Sequence, residues 1–159
     1  MNVYQKNNIG ALLKQNAYAG RGIIVGTTPD GQNAVSAYFI MGRSANSRNR
    51  IFVEENGAVF TRPFDEKKVE DPALIIYAAI RKADKKLIVT NGDQTDTVVD
   101  ALKAGKTFAD ALKGRTFEPD APNFTPRISA MLDFDGGFKY SMSILKSADE
   151  KGGACCRFL

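Results

Sequence analysis

KLIVTNGDQTDTVVDALKAGKTFADALKG, running from Lys86 to Gly114, is where the chain changes its period. Lys86 to Thr90 is a short apolar run with β-branched residues, which predicts a strand. Asn91-Gly92-Asp93 interrupts it. Thr95, Val98, Val99 and Leu102 then recur at i, i+3, i+4 and i+7, one face of a helix that Gly92 or Asp93 can start and Gly105 can end. Thr107-Phe108-Ala109-Asp110 has the form of a capping box and opens a second short helix that stops near Gly114.

Hairpin signals lie on both sides of this helix pair. Downstream, Arg127 to Leu132 and Phe138 to Leu145 flank Asp135-Gly136-Gly137. Ala154 to Leu159 (ACCRFL) begins one more apolar strand. Upstream, Ala73 to Ile80 (ALIIYAAI) reads as a strand returning to Lys86–Thr90 through Lys82-Ala83-Asp84-Lys85. Ile51 to Val53 and Ala58 to Phe60 flank Asn56-Gly57, a favoured tight turn. Arg21 to Thr27 and Ala34 to Met41 flank Thr28-Pro29-Asp30-Gly31. Ile9, Leu12 and Leu13, with Asn8 as N-cap, predict a short helix before Tyr18. Arg62 to Pro72 and the three-proline segment Arg115 to Pro126 read as loops. Hairpins, two helices, then hairpins again make an α+β layout with antiparallel sheets.

The 159 residues fit one domain, 1–159, with no internal repeat. Hydrophobic residues make 43% and charged residues 25%, ordinary values for a globular chain. No apolar run is long enough for a bilayer, and Met1 to Lys6 has no signal-peptide pattern, so a cytoplasmic protein with no membrane partner is expected. A net charge of +4 is too weak to demand nucleic acid as partner and suits a small anionic ligand equally well. Histidine is absent, which excludes a Ser-His-Asp or Cys-His hydrolase within this chain. Acid–base chemistry falls to Glu, Asp, Tyr, Lys or Cys. The two cysteines, Cys155 and Cys156, are adjacent and read as reduced thiols, not as a metal site. No cofactor is expected.

Four polar clusters stand at strand ends or in loops. Gly42-Arg43-Ser44-Ala45-Asn46-Ser47-Arg48-Asn49-Arg50 holds three arginines, and no Asp or Glu occurs from Gly31 to Val53. Guanidinium forks match phosphate or carboxylate oxygens. The same composition also fits a solvated basic loop. Tyr18-Ala19-Gly20-Arg21-Gly22 opens a strand with an arginine between glycines, and a surface arginine is the plainer alternative. Asn91-Gly92-Asp93-Gln94-Thr95-Asp96 opens a helix and suits either ligand binding or simple capping. Phe117 to Arg127 sets acids, Asn123 and Arg127 in a proline-stiffened loop, which fits preorganised contacts or a surface connector. Tyr77 stands among apolar residues, where a core role and a chemical one are both open.

Taken together, Tyr18-x-Gly20-Arg21, Gly42-Arg43-Ser44-x-Asn46-x-Arg48, Tyr77, Asn91-Gly92-x-Gln94-Thr95-Asp96 and Glu118-x-Asp120-x-x-Asn123-x-Thr125-Pro126-Arg127-Ile128 resemble the archaeal-type IMP cyclohydrolases and their bacterial relatives. Ala45 and Ser47, where archaeal forms carry a Pro or aromatic residue, bring the resemblance nearer the bacterial branch. It implies a four-layer αββα sandwich like that of the N-terminal nucleophile hydrolases, without a self-processed nucleophile. It also implies that the family continues beyond Leu159, so further C-terminal strands are expected. The implied reaction closes formamidoimidazole carboxamide ribonucleotide to inosine monophosphate with loss of water, in purine biosynthesis. By chemical type, Arg21, Arg48 and Arg127 then suit the 5′-phosphate, and Arg43 the developing oxyanion. Glu118, or else Asp120, suits proton transfer, and Tyr77 the departing hydroxyl. Asn46, Asn91, Gln94, Thr95 and Asn123 suit the carboxamide and ribose. Two rivals remain open: a nucleotide- or RNA-binding module built on Arg43, Arg48 and Arg50, and an amidohydrolase on the same fold. A homo-oligomer is left open.

Overall fold

The computed structural model describes residues 6–159. Helix α1 (Ile9–Lys14) is capped by Asn8, whose side chain accepts from the Ala11 amide at 3.0 Å. Strands β1 (Arg21–Thr27) and β2 (Ala34–Ile40) form a two-stranded antiparallel ribbon, with Arg21 opposite Ile40. The arginine loop contains a four-residue helix, α2 (Ala45–Arg48).

All later strands join one seven-stranded antiparallel sheet in chain order. They are β3 (Ile51–Glu55), β4 (Ala58–Arg62), β5 (Ala78–Ala83), β6 (Lys86–Thr90), β7 (Arg127–Asp133), β8 (Lys139–Ser147) and β9 (Cys155–Phe158). Asn56 and Gly57 both take positive φ, 53° and 75°, as the tight β3–β4 turn requires.

One reading from the sequence is corrected. Ala73 to Ile80 is not a continuous strand: α3 (Pro72–Ile75) occupies its first half, and β5 starts only at Ala78. Asp71 accepts from the Ala73 amide at 3.0 Å, and Pro72 takes the first helical position, where its missing N–H costs nothing. An apolar run alone does not separate a buried strand from a buried helical turn. The consequence is functional, because Tyr77 sits at the junction and not within a strand. The Thr61 hydroxyl receives the Tyr77 amide and donates to the Tyr77 carbonyl, both at 3.1 Å, which pins that junction to β4.

Helices α4 (Gln94–Lys103) and α5 (Phe108–Lys113) cover one face of the sheet. Ile88 pairs with Met131, so both point to the same face, where they pack with Val98, Val99, Phe108, Ala111, Leu112 and Leu145. Val89, Ala130 and Leu132 point the other way and are also fully buried. The β1–β2 ribbon lies against β6 and β7 on that second face. Beyond it, Met142, Ile144 and Phe158 stay exposed beside β1. The chain is thus a mixed α/β fold with antiparallel sheets. Among the described residues, no helix is long and apolar enough to cross a membrane.

Candidate active site

The ends of β1, β2 and β6 meet the arginine loop and the 117–126 loop around one cavity of about 220 Å³. That is just under the ~300 Å³ at the lower end for small-molecule sites, a size for a small polar ligand. Its lining brings together Arg21, Arg43, Asn46, Tyr77, Asn91, Glu118, Asp120 and Asn123. These residues are drawn from position 21 to position 123 of the chain.

Glu118 is held from two sides. Arg21 Nη1 donates to its Oε1 at 2.8 Å, and Asn91 Nδ2 approaches the same oxygen at 3.4 Å. The Arg21 and Glu118 side chains are 19% and 14% exposed, so water screens this pair poorly. Burial pushes the Glu118 carboxyl above the ordinary glutamate range, against the pull of Arg21; nearby Asp120 adds to the rise.

Asn91 continues the β6–β7 ladder with its side chain. Its Oδ1 accepts from the Ile128 amide at 2.6 Å, and its Nδ2 donates to the Pro126 carbonyl at 3.2 Å. This fixes the end of the proline-rich loop. The loop is closed internally by Asp120, which accepts from the Thr125 amide at 2.7 Å and from the Thr125 hydroxyl. The Glu118 amide donates to the Thr125 carbonyl at 2.8 Å. The prolines are therefore part of a hydrogen-bonded loop that aims Glu118.

Arg43 reaches across the opening. Its Nη1 donates to Asn123 Oδ1, its Nε to the Tyr18 hydroxyl at 3.3 Å, and its guanidinium stands over the Tyr18 ring. The turn carrying it is built by reciprocal bonds: the Ser47 amide donates to Ser44 Oγ, and the Ser44 amide to Ser47 Oγ. Asn46 Oδ1 accepts from the Glu70 amide at 3.1 Å, anchoring α2 to the following segment. Among the described residues, neither Arg43 nor Arg50 has a carboxylate partner within ion-pair distance.

The model of the family described as "IMP cyclohydrolase-like protein" matches residues 18–154. The chain belongs to this family. It is 38% identical over 120 residues to an IMP cyclohydrolase of Methanopyrus kandleri, covering 73% of this chain and 59% of that protein. It is 32% identical over 117 residues to one of Methanocaldococcus jannaschii, covering 73% of this chain and 57% of the relative. The match thus spans under two thirds of these relatives' length.

Four residues singled out from the sequence of this IMP cyclohydrolase-like chain lie outside the cavity lining. Arg48 turns its Nε to the Gly42 carbonyl at 2.9 Å. Arg127 Nη2 binds Asp93 Oδ1 at 2.9 Å, and Arg115 Nη2 binds the same oxygen at 2.5 Å. Burial alone would raise the Asp93 carboxyl; these arginines hold it below the usual range instead. Gln94, fully buried, donates to the Ile128 carbonyl at 3.3 Å, and Thr95 pairs with the Thr90 hydroxyl at 2.6 Å. Both tie the start of α4 to the sheet.

Tyr18, Ser44, Ser47, Arg50 and Thr125 line the cavity and were not among the site residues expected from sequence. Tyr18 and Thr125 stand inside the quoted motifs, so motif membership was their available signal. Tyr38 has no motif. Its hydroxyl lies 2.7 Å from that of Tyr77.

Proposed function

We propose that this chain carries an IMP cyclohydrolase site, which closes formamidoimidazole carboxamide ribonucleotide to inosine monophosphate with release of water. One observation carries the reading: the half-buried Glu118 carboxylate paired to Arg21, an Arg43 with no carboxylate partner among the described residues, and Tyr77 line one small cavity. They do so within the span matched to the family.

The reaction asks for little beyond placement and proton movement. The carboxamide nitrogen attacks the formyl carbon, and a positioned pair of groups removes most of the entropic cost. Glu118 takes a proton from that nitrogen while Arg43 stabilises charge growing on the formyl oxygen, and Glu118 then returns the proton to that oxygen to give the carbinol hydroxyl. In the dehydration the C–O bond breaks and the Tyr77 proton leaves with the hydroxyl as water. Glu118, free again, takes the remaining ring N–H proton as the C=N bond forms, and exchange with solvent returns that proton to Tyr77. Burial raises the Tyr77 hydroxyl above its usual range, so it is protonated at neutral pH.

Arg50 is the better candidate for the 5′-phosphate. Arg21 is engaged with Glu118, and Arg48 and Arg127 are turned to other partners. Arg50 lines the cavity and, among the described residues, spends only its Nε, on the Ser47 carbonyl at 2.7 Å.

We infer for the complete protein the four-layer αββα sandwich, with the ribbon as part of a second sheet. The exposed apolar face of Met142, Ile144 and Phe158 beside β1 supports this. The nucleic-acid reading is less well supported, because Arg43 and Arg50 converge on a small cavity while Arg48 is turned to the Gly42 carbonyl. The amidohydrolase reading is also weaker. Cys155 and Cys156 are on β9, outside the lining, and Ser44 and Ser47 bond each other.

Purified protein given the formamido ribonucleotide should produce inosine monophosphate, followed by ultraviolet absorbance and product chromatography. A rate no faster than the buffer control would refute the reading.

A further inference from the structure

The Tyr38 and Tyr77 hydroxyls stand 2.7 Å apart, close enough that one proton must lie between them. The pair can be oriented in two ways. Each hydroxyl carries one proton and can donate once. If Tyr77 donates to Tyr38, the Tyr38 proton needs a second acceptor. Among the described residues the Tyr38 hydroxyl has no hydrogen-bond partner but Tyr77, and its ring packs edge-on against Phe52 at 5.6 Å. Tyr38 does not line the cavity. That orientation leaves the proton of the half-buried Tyr38 without a protein acceptor among the described residues, which disfavours it. If Tyr38 donates to Tyr77 instead, the Tyr77 proton is the free one. Tyr77 does line the cavity, so of the two protons its own is the one on a residue that borders a bound molecule.

We propose that Tyr38 is a positioning residue: it donates to the Tyr77 oxygen and so leaves the Tyr77 O–H aimed into the cavity as a proton donor. This rests on the cyclohydrolase reading of the site. Both ends of the pair are independently fixed. The Tyr77 backbone is bonded to Thr61 from both sides, and Tyr38 is held in β2 opposite Ile23. Burial raises both phenols, so both stay protonated at neutral pH and the choice of orientation persists. Tyr38 belongs to the ribbon and Tyr77 to the large sheet's border. The contact therefore also sets the reactive hydroxyl by the seating of one layer on the other.

The test is a double-mutant cycle on formation of inosine monophosphate. Tyr38→Phe removes one oxygen and keeps the ring. It should lower kcat on the order of 10-fold with KM within about twofold, because the lost orientation matters for proton donation and not for binding. Tyr77→Phe should cost more. The Tyr38→Phe/Tyr77→Phe double variant should be no slower than Tyr77→Phe alone, since Tyr38 acts only through Tyr77. A Tyr38→Phe kcat within twofold of wild type overturns the proposal. So does a double variant in which the two losses multiply, the result a merely structural Tyr38 would give. Wild-type protein that forms no inosine monophosphate overturns the cyclohydrolase reading and this proposal with it. An active wild type beside an unaffected Tyr38→Phe overturns this proposal alone.

Discussion

Glu118 shows how a single side chain is tuned by opposed effects. Desolvation disfavours its charged form, the Arg21 guanidinium favours it, and desolvation wins. The sign has two consequences. A carboxyl raised in the folded state binds its proton more tightly there than in the unfolded chain. Its ionisation therefore works against stability as pH rises through the folded value, and that cost is relieved in acid. As a base, Glu118 works only when ionised. The acid limb of kcat/KM should therefore fall at a pH above the ordinary glutamate range. Glu118→Gln should lower kcat by ~10²-fold or more with little change in KM, and should abolish that limb. Steady-state kinetics over roughly four pH units upward from the ordinary carboxylate value would decide it. Retention of near-normal kcat would move the role to Asp120. That residue is already occupied in closing its own loop through Thr125.

At the scale of elements, the turn that carries Arg43 depends on a missing side chain. A Cβ on Gly42 would stand 2.3 Å from the Ser47 carbonyl carbon and 2.4 Å from its oxygen. Those are backbone atoms, which cannot swing away as a side-chain tip can. Gly42→Ala should push α2 outward and carry Arg43, Ser44, Ser47 and Arg50 with it. A misplacement near 1 Å can cost on the order of 10²-fold in rate. We expect a loss of that size in kcat/KM, with thermal unfolding shifted far less, because α2 contributes only Asn46 to the buried set. Unchanged kcat/KM would show that the turn adapts. The capping signals of the helices were plain in the sequence: Asn8 before α1 and Thr107 with Asp110 at α5 act as their residue types predict. The α3 turn is not legible in the sequence, because ALIIYAAI has no period that separates helix from strand and Asp71-Pro72 is the only sign of a start.

At the scale of the molecule, one sheet separates two apolar layers, and the site sits where the ribbon, the large sheet and two loops meet. Leu132 is fully buried on the face away from α4 and α5, opposite Leu87. Leu132→Ala should destabilise the protein by ~2–5 kcal/mol, the usual cost of a large-to-small change at a closed site. Urea unfolding measures it, and a loss under about 1 kcal/mol would mean that this face is less well packed than described. The hairpins, the helix pair and the membership of the site motifs were legible from the chain alone, because turn chemistry, capping and hydrophobic period are local properties. The direction of each polar side chain was not. Arg21, Arg48 and Arg127 look equivalent in sequence, yet one meets Glu118, one a backbone carbonyl and one Asp93. The Tyr38–Tyr77 contact joins residues 39 positions apart and leaves no local trace. Such pairings depend on how the ribbon seats on the sheet, and only the folded packing decides which charge finds which partner.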